Sequence, residues 1–247
     1  MSRKILILGA TSAIAAEVAK LYAARGDALY LMGRSPEKLA ALVRTLGDSV
    51  VGSESCDFDE FAANPARVER AIAALNGLDI ALLAHGYLGD QLRSEAEVDY
   101  AERIIATNFT SAVSLLIPLA NHLEQQGHGH LAAITSVAGE RGRPRNYTYG
   151  SAKGALTRYL QGIRSRLYRT DVLVHNIKLG PVDTPMTADH AKHALFGEKK
   201  RVARGIVRAL DGRRHTIYLP WSWRMIMGIV RALPEPVFQR FGFLSGR

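Results

Sequence analysis

The sequence has a single cysteine, Cys56, among 247 residues, so it cannot form an intramolecular disulfide. Although 47% of its residues are hydrophobic, we find no apolar stretch approaching the ~20 uninterrupted residues that a membrane-spanning helix needs. The N-terminal Met-Ser-Arg-Lys is followed by a short apolar run at 5–8 and then Gly9, which is too short for the core of a signal peptide. We therefore expect a cytoplasmic protein, with attachment to the inner face of the cell membrane left open.

Acidic residues are fewer than basic ones, 23 against 32, which gives a formal net charge of +9. Such a balance suits nucleic acid, an anionic membrane or an anionic ligand, and charge alone does not choose among them. The chain has no recognised nucleic-acid-binding motif and no basic face rich in aromatic residues. We therefore predict no nucleic-acid partner.

Apolar runs with strand character alternate with segments of helical periodicity along the chain. The predicted strands lie at 4–8, 28–32, 50–56, 78–84, 131–135, 172–177 and 216–219. The predicted helices lie at 12–25, 35–46, 64–75, 98–107, 111–126 and 147–168. This alternation predicts an α/β fold, with a doubly wound, Rossmann-like parallel sheet and helices on both faces. We expect one domain over 1–247, because no linker or repeat divides the chain.

Proton-transfer chemistry is indicated where the strand at 131–135 delivers Ser136 and the next helix begins with Tyr149 and Lys153. Residues four apart share one face of a helix, so the ammonium can approach the phenol. A nearby cation favours phenolate, so we expect a fixed lysine, helped by a cationic nicotinamide, to bring the pKa of Tyr149 toward neutral pH. Tyr147 is the competing tyrosine, but Ser151 lies four residues after it and carries no charge.

Ser136, Tyr149 and Lys153, with Gly139 between them, resemble the catalytic centre of the short-chain dehydrogenase/reductase family. The resemblance implies an enzyme that reduces a ketone with a nicotinamide cofactor, and it implies no metal site. It also implies a fourth catalytic residue, Asn108, which would bend its helix and hold a water on the proton path to the lysine. A Tyr-x-x-x-Lys pair alone occurs by chance in many helices, so the prediction depends on these motifs occurring together.

The turn after the first strand, Gly9 to Ala15, opens a helix where a dinucleotide pyrophosphate can meet free backbone amides. The family pattern has glycine where this chain has Ala13 and Ala15. Gly33 stands where an NAD site would place a carboxylate, and Arg34 suits a 2′-phosphate, so NADP(H) is favoured over NAD(H). Arg34 could equally be a solvated arginine near a helix start. The predicted cofactor contacts are Gly9, Thr11, Ser12, Ala13, Ile14, Arg34, Asp57, Ala84, Gly86, Tyr149, Lys153, Val182 and Thr184, several of them from the resemblance alone.

Basic residues are candidates for binding a substrate phosphate. Arg141, Arg143 and Arg145 lie between Ser136 and Tyr149, where three alternate cations could clamp a phosphate. A second basic group falls in the segment that forms a substrate lid in the family. It comprises Lys192, His193, Lys199, Lys200, Arg201 and Arg204. Either group could instead be solvated surface.

The C-terminal tail, 221–247, has two interpretations. Ile226, Ile229, Val230 and Leu233 form a helical stripe opposite two arginines and a glycine, and both tryptophans and three phenylalanines lie in the tail. This composition suits a helix lying in a membrane interface. The alternative is a helix packed on the sheet or on a second subunit.

Residues 136–166, together with this tail, are similar to bacterial reductases that act on the 2-keto group of a polyprenyl-phosphate-linked pentose. That resemblance implies a lipid-linked ketone as substrate. A reductase of another anionic lipid or acyl-carrier ketone, and a non-catalytic cofactor-sensing regulator, are the alternatives. We also expect a homodimer or homotetramer, because resembling proteins pair helices equivalent to 111–126 and 147–168.

Overall fold

The computed structural model describes residues 2–187 and 195–240, in which strands alternate with helices. The strands are β1 (Lys4–Leu8), β2 (Ala28–Gly33), β3 (Val50–Ser55), β4 (Ile80–Leu83), β5 (His128–Ser136), β6 (Asp171–Leu179) and β7 (Thr216–Leu219). The helices are α1 (Ala13–Ala23), α2 (Pro36–Leu46), α3 (Asn64–Leu75), α4 (Gln91–Ala96), α5 (Val98–Ile105), α6 (Ser111–Gln126), α7 (Tyr147–Arg166), α8 (Lys199–Leu210), α9 (Ser222–Ala232) and α10 (Glu235–Arg240).

The strands form one parallel sheet in the order β3-β2-β1-β4-β5-β6-β7. Chain order reverses between β1 and β4, so the connections leave these two strands in opposite directions. In open α/β sheets this reversal creates a crevice at the carboxyl ends of the strands, where ligands bind. The predicted doubly wound, Rossmann-like sheet is confirmed.

Strand β1 shows how the sequence produces helices on both faces. Ile5 and Ile7 pack in the cluster that contains residues of α1, α2 and α8, whereas Leu6 and Leu8 pack with α3, α6 and α7 on the other face. All four side chains are fully buried. A strand covered on both faces is apolar at consecutive positions, which explains its uninterrupted aliphatic run.

Several boundaries differ from the predicted ones. Strand β5 begins at His128 and ends at Ser136, because Gly127 ends α6 in the left-handed conformation and the strand follows at once. Helix α8 occupies the second basic segment, for which the family resemblance implies a substrate lid. Its apolar residues are buried at helical spacing beneath a charged outer face, and they include Val202, Ala203 and Ile206. Lys192 and His193 lie outside the described residues.

One continuous helical stretch, 98–126, is long and apolar enough by length and composition to cross a membrane. Core helices pass the same test. Leu115, Leu119 and Leu123 of this stretch are fully buried within the core cluster beside α3 and α7. Its apolar composition is therefore accounted for by packing against the sheet.

The tail packs on the protein through one face. Trp223, Met227 and Val230 of α9 and Phe238 of α10 form a buried cluster with Val137, next to Ser136. The predicted stripe is divided between two faces: Val230 is buried, whereas Ile229 is 64% exposed, because Trp223 and Met227 direct a different face of the helix inward. Phe241 and Phe243 lie outside the described residues.

Candidate active site

The site begins at the last residue of β5. Ser136 pairs with Leu179 of β6 at the carboxyl edge of the sheet. The Oγ atom of Ser136 accepts a hydrogen bond from the backbone N–H of Ala138 at 3.1 Å and lies 3.4 Å from the carbonyl oxygen of Leu179. These contacts hold the hydroxyl in place at the crevice.

Two glycines let α7 approach the segment after Ser136. A Cβ atom on Gly139 would lie 2.6 Å from the backbone nitrogen of Gly154, and a Cβ on Gly150 would lie 2.7 Å from the carbonyl oxygen of Ala138. Real Cβ atoms do not come this close to backbone, so larger residues would push the helix away. This close packing sets the distance between Ser136 and the side chains of α7.

Tyr149 and Lys153 project from α7 toward Ser136, as predicted. A hydrogen bond joins the Tyr149 side chain to Ser136, and the Lys153 ammonium lies 5.9 Å from the centroid of the phenol ring. The ammonium also donates to the carbonyl oxygen of Ile134 at 3.3 Å. Tyr147, in contrast, is 44% exposed at the helix start.

In the protein alone, the pKa of Tyr149 moves opposite to the direction expected from the Lys153 ammonium. Burial raises the pKa of Tyr149 to about 12 and outweighs the hydrogen bond with Ser136, which lowers it. Burial also lowers the pKa of Lys153 to about 8. The sequence showed the nearby cation but not the loss of solvent. At neutral pH the phenol is therefore protonated, as a proton donor must be.

Asn108 lies at the back of the site in a short π-helical segment, Ala106–Thr110, between α5 and α6. Its side-chain amide makes two hydrogen bonds with the backbone of Tyr87. Oδ1 accepts from the N–H at 3.1 Å, and Nδ2 donates to the carbonyl oxygen at 2.6 Å. A Cβ on Gly86 would lie 2.9 Å from Asn108 Oδ1 and 3.2 Å from Lys153 Nζ. Asn108, Gly86 and Lys153 therefore meet, and the predicted helix irregularity is present.

His85 precedes Gly86 and packs against Ser111 and Phe58. Its Nε2 lies 2.8 Å from Ser111 Oγ, and its ring is 4.9 Å from that of Phe58. Because Ser111 donates to the carbonyl of Thr107, it accepts from Nε2 of a neutral imidazole. Burial, with Lys153 as a smaller cause, lowers the pKa of His85 to about 3. His85 is therefore a neutral residue that fills space.

The turn after β1 can hold a pyrophosphate. Gly9 has φ +84°, and a Cβ there would lie 2.6 Å from the backbone nitrogen of His85, so glycine is required. Ser12 caps α1 by accepting from the N–H of Ala15 at 3.2 Å. The amides of Ala13 and Ile14, in the first turn of the helix, have no carbonyl partner within the helix, so they can face an anion.

The two alanines that depart from the family glycines are accommodated. Ala15 is fully buried among apolar residues of the sheet face, so its methyl group adds to the core. Ala13 occupies the first position of α1. The residues present therefore fit a dinucleotide at the crevice between β1 and β4.

The end of β2 lies beside this turn. A Cβ on Gly33 would lie 3.0 Å from Thr11 Cγ2, so glycine leaves room for the Thr11 side chain and places no carboxylate there. Arg34 follows and is exposed, immediately before the Ser35 cap of α2. Asp57, also exposed, accepts the backbone N–H of Asp59 at 3.1 Å. A cation is thus present at the strand end where a 2′-phosphate would lie.

Ala84 and the turn after β6 complete the crevice. The N–H of Ala84 donates to the carbonyl of Leu8 at 2.7 Å, which ties the end of β4 to β1. Val182 is buried, and its carbonyl accepts from the hydroxyl of Thr187 at 2.6 Å. The N–H of Thr184 donates to the same hydroxyl at 3.3 Å. Thr187 therefore closes the turn that carries Val182 and Thr184.

Arg141 does not belong to a phosphate clamp, contrary to the sequence prediction. Its guanidinium donates to the carbonyl oxygens of Val230 and Leu233 at the end of α9 and pairs with Glu235 at 2.7 Å. It also lies 4.0 Å over the ring of Phe238. Arg141 holds the tail, and these long-range partners could not be identified from its local sequence.

Arg143 differs from Arg141. Its Nε is buried and has no hydrogen-bond partner in the described part of the chain, and the same holds for Oδ1 of Asn146, three residues later. Burial and the neighbouring Arg145 guanidinium lower the pKa of Arg143. A partly buried cation beside a second cation is stabilised by an anion, so Arg143 retains its role as a candidate for substrate binding.

An ion pair missed at the sequence level supports the segment that follows Ser136. Glu140 is almost completely buried and accepts from Lys178 Nζ and from the hydroxyl of Tyr218, each at 2.6 Å. Arg231 of α9 approaches the other carboxylate oxygen at 3.3 Å. These contacts connect the segment that follows Ser136 to β6, β7 and the tail.

The comparisons agree with this geometry. Residues 3–194 match the family model described as short chain dehydrogenase. An uncharacterized oxidoreductase of Mycobacterium tuberculosis is 34% identical over 239 residues, covering 96% of each chain. One from Streptomyces coelicolor is 34% identical over 245 residues, covering 96% of this chain and 95% of the relative. The chain belongs to the short-chain dehydrogenase/reductase family and is an NAD(P)-dependent oxidoreductase of that family.

Solved structures show the same fold. A short chain dehydrogenase from Burkholderia cenocepacia in complex with NADP superposes with a TM-score of 0.83 at 17% identity, covering 97% of each chain. A xylitol dehydrogenase bound to NAD+ superposes with a TM-score of 0.77 at 20% identity, covering 87% of this chain and 96% of its own. Structures of this fold therefore include proteins with either cofactor.

Proposed function

We propose that this enzyme uses NADPH to reduce a ketone to a secondary alcohol, with Tyr149 donating the proton to the carbonyl oxygen. The observation that carries the proposal is the contact between the protonated Tyr149 phenol and Ser136, with the Lys153 ammonium beside the ring. When bound, the reduced nicotinamide supplies the hydride that the carbonyl carbon receives. Ser136 holds the carbonyl oxygen, and Lys153 holds the ribose.

Protons would reach Tyr149 from the side of the site where Lys153 and Asn108 lie. Donation leaves a phenolate, which the Lys153 ammonium stabilises and which must recover a proton from solvent. Asn108 lies next to Lys153 Nζ across Gly86. We propose that Asn108 positions the water through which Lys153 is connected to solvent.

Cofactor preference follows from the charge at the end of β2. Arg34 is exposed after Gly33, and Gly33 supplies no carboxylate to bind the ribose hydroxyls of NAD(H). A 2′-phosphate would gain a charge-assisted contact with Arg34. This charge supports NADPH as the preferred cofactor. Structures of the same fold contain either nucleotide, so the fold does not determine the preference and the residues at the end of β2 must.

We further propose an anionic substrate, with a polyprenyl-phosphate-linked keto-pentose as the specific candidate. Arg143 supports this, because its partly buried guanidinium has an unpartnered Nε in the loop between Ser136 and Tyr149. A substrate phosphate would satisfy that donor and offset the repulsion from Arg145. An acyl-carrier ketone offers a phosphate too and is the main alternative.

The test is a turnover screen that follows NADPH oxidation with polyprenyl-phosphate ketosugars, acyl-carrier ketones and uncharged cyclic ketones. Arg143→Ala should raise KM for the preferred anionic ketone by roughly 10- to 100-fold, equivalent to losing ~1.5–3 kcal/mol of charge-assisted hydrogen bonding. It should leave KM for an uncharged ketone unchanged. Arg158→Ala, on the exposed side of α7, is the matched control and should alter neither value. Equal effects of Arg143→Ala on both substrates would refute the anionic-substrate proposal.

A further inference from the structure

The tail exposes an apolar face on the side of α9 that points away from the protein. Trp221 is 70% exposed, Met225 63% and Ile229 64%. The three residues stand four apart, so they lie along one side of the helix. The opposite side carries Trp223, Met227 and Val230, which are buried, so inward packing leaves the outer side chains largely exposed in the part of the chain that the structure describes.

The surroundings of this face are basic. Helix α9 contains Arg224 and Arg231 but no acidic residue. The first turn of α8 lies next to Pro220, because a Cβ on Gly197 would contact both Pro220, at 3.2 Å, and Val202 of α8, at 3.0 Å. That turn carries exposed cations, which are Lys199, Lys200 and Arg201. Glu198 is the single acidic residue from 195 to 210, a span that also contains Arg204 and Arg208.

We propose that the outer face of α9, with the basic first turn of α8, binds the surface of an anionic lipid bilayer. The apolar side chains of Trp221, Met225 and Ile229 enter the boundary between headgroups and acyl chains, and the cations contact lipid phosphates. An exposed tryptophan beside aliphatic residues and cations is the composition of interfacial helices. Membrane attachment goes beyond the proposed reaction and does not depend on it.

Charge favours a bilayer over a second copy of this chain. A two-fold dimer would place the same surface on both subunits, so the basic residues around α9 would face each other. Like charges across an interface weaken association. An anionic bilayer, in contrast, attracts the exposed cations Lys199, Lys200 and Arg201, and each contributes about a fivefold gain in binding near the surface.

The location of α9 gives this attachment a consequence for substrate access. Trp223, on the inner side of α9, packs against Gly180 in the turn after β6, and its Nε1 donates to the carbonyl of Leu195 at 3.3 Å. Leu195 is itself 40% exposed. The bilayer would therefore meet the protein beside the substrate side of the site, where a lipid-linked ketone could enter without leaving the membrane surface.

The experiment uses the full chain with vesicles of phosphatidylglycerol and phosphatidylcholine. The chain has two tryptophans; Trp223 is already buried, so a blue shift in emission on vesicle binding should come from Trp221. Trp221→Phe should abolish the shift. The triple variant Trp221→Ser, Met225→Ser, Ile229→Ser should weaken co-sedimentation with anionic vesicles at least tenfold. Lys199→Ala with Lys200→Ala should weaken it about 30-fold if the two cations act independently.

Matched controls separate the face from general surface effects. Leu92→Ser with Tyr168→Ser removes exposed apolar residues elsewhere, at 77% and 85% exposure, and should leave vesicle binding unchanged. Lys38→Ala with Arg44→Ala removes two exposed cations from α2 and should also leave vesicle binding unchanged. Near-ultraviolet circular dichroism should show that the triple variant remains folded, since its substituted side chains face outward.

Three outcomes would overturn the proposal. The first is no binding of the wild-type chain to anionic vesicles, and the second is equal binding to neutral phosphatidylcholine. The third is a dimer in light scattering that the triple variant converts to monomer without any effect on vesicle binding. That last result would assign the face to a second copy of the chain. Ketone turnover in solution reports separately on the proposed reaction.

Discussion

Arg141→Ala should detach the tail from the loop that follows Ser136 and destabilise the protein. Arg141 donates to Val230 and Leu233 at the end of α9, pairs with Glu235, and covers the ring of Phe238. Its side chain is only 12% exposed, so water does not readily replace these contacts. The variant should therefore lose contacts that hold α9 and α10 in place.

The size of the effect follows from the separate contacts. Hydrogen bonds from a charged donor contribute about 1.5–3 kcal/mol each, and a cation at the end of a helix adds about 0.3–1 kcal/mol. The Glu235 side chain is 64% exposed, so that ion pair adds little. Because the contributions are not additive, we expect a total loss of about 3 kcal/mol.

Urea unfolding followed by tryptophan fluorescence measures this loss, since buried Trp223 lies on α9. Arg93→Ala is the control. It removes a pair with Glu97 in which both side chains are half exposed, at 55% and 50%, so it should cost less than about 0.5 kcal/mol. Equal effects of the two variants on stability, together with a raised KM for an anionic ketone in Arg141→Ala alone, would show that Arg141 binds substrate after all.

Three further predictions concern the cofactor, the proton path and the tail. Arg34→Ala should weaken NADPH binding by roughly 10- to 100-fold, from the loss of ~1.5–3 kcal/mol, and spare NADH; titration of each nucleotide checks this, and equal losses would contradict a 2′-phosphate role. The proposed mechanism requires the ammonium form of Lys153, whose pKa burial lowers to about 8, so kcat/KM for reduction should fall as pH rises through about 8, while a flat profile from pH 7 to 9.5 would count against that requirement. Gly180→Ala would place a methyl group against Trp223, so tryptophan emission should shift toward that of exposed indole, and unchanged emission would show that the helix does not rest on this turn.

Sequence patterns were enough to predict the sheet, both helical faces and the proximity of Ser136, Tyr149 and Lys153. The aliphatic run of β1 and the spacing of Tyr149 and Lys153 are local signals, and each corresponds to one structural element. The helix irregularity at Asn108 was expected from the family resemblance and not from the local pattern, which shows only a polar residue in a helical run. The other predictions succeeded because periodicity and residue type determine them within a few residues.

Predictions that depended on burial or distant contacts were wrong or missing. The partners of Arg141 lie about 90 residues away, so the arginine resembled its neighbours in a basic loop. The pKa of Tyr149 depends on solvent exclusion by the whole crevice, and the sequence offered only the nearby cation. Glu140, in the segment after β5, pairs with Lys178 of β6 and accepts a hydrogen bond from Tyr218 of β7, and no local pattern indicates these contacts.

The most direct test of the catalytic assignment compares Tyr149→Phe with Tyr147→Phe, two substitutions that each remove one hydroxyl from the start of α7. NADPH binding is measured by nucleotide fluorescence, and turnover is measured with the best ketone from the substrate screen. Because only Tyr149 contacts Ser136 and Lys153, Tyr149→Phe should bind NADPH normally and lose at least 100-fold in kcat, whereas Tyr147→Phe should retain wild-type turnover. Undiminished turnover by Tyr149→Phe with cofactor still bound would contradict the assignment of Tyr149 as the proton donor.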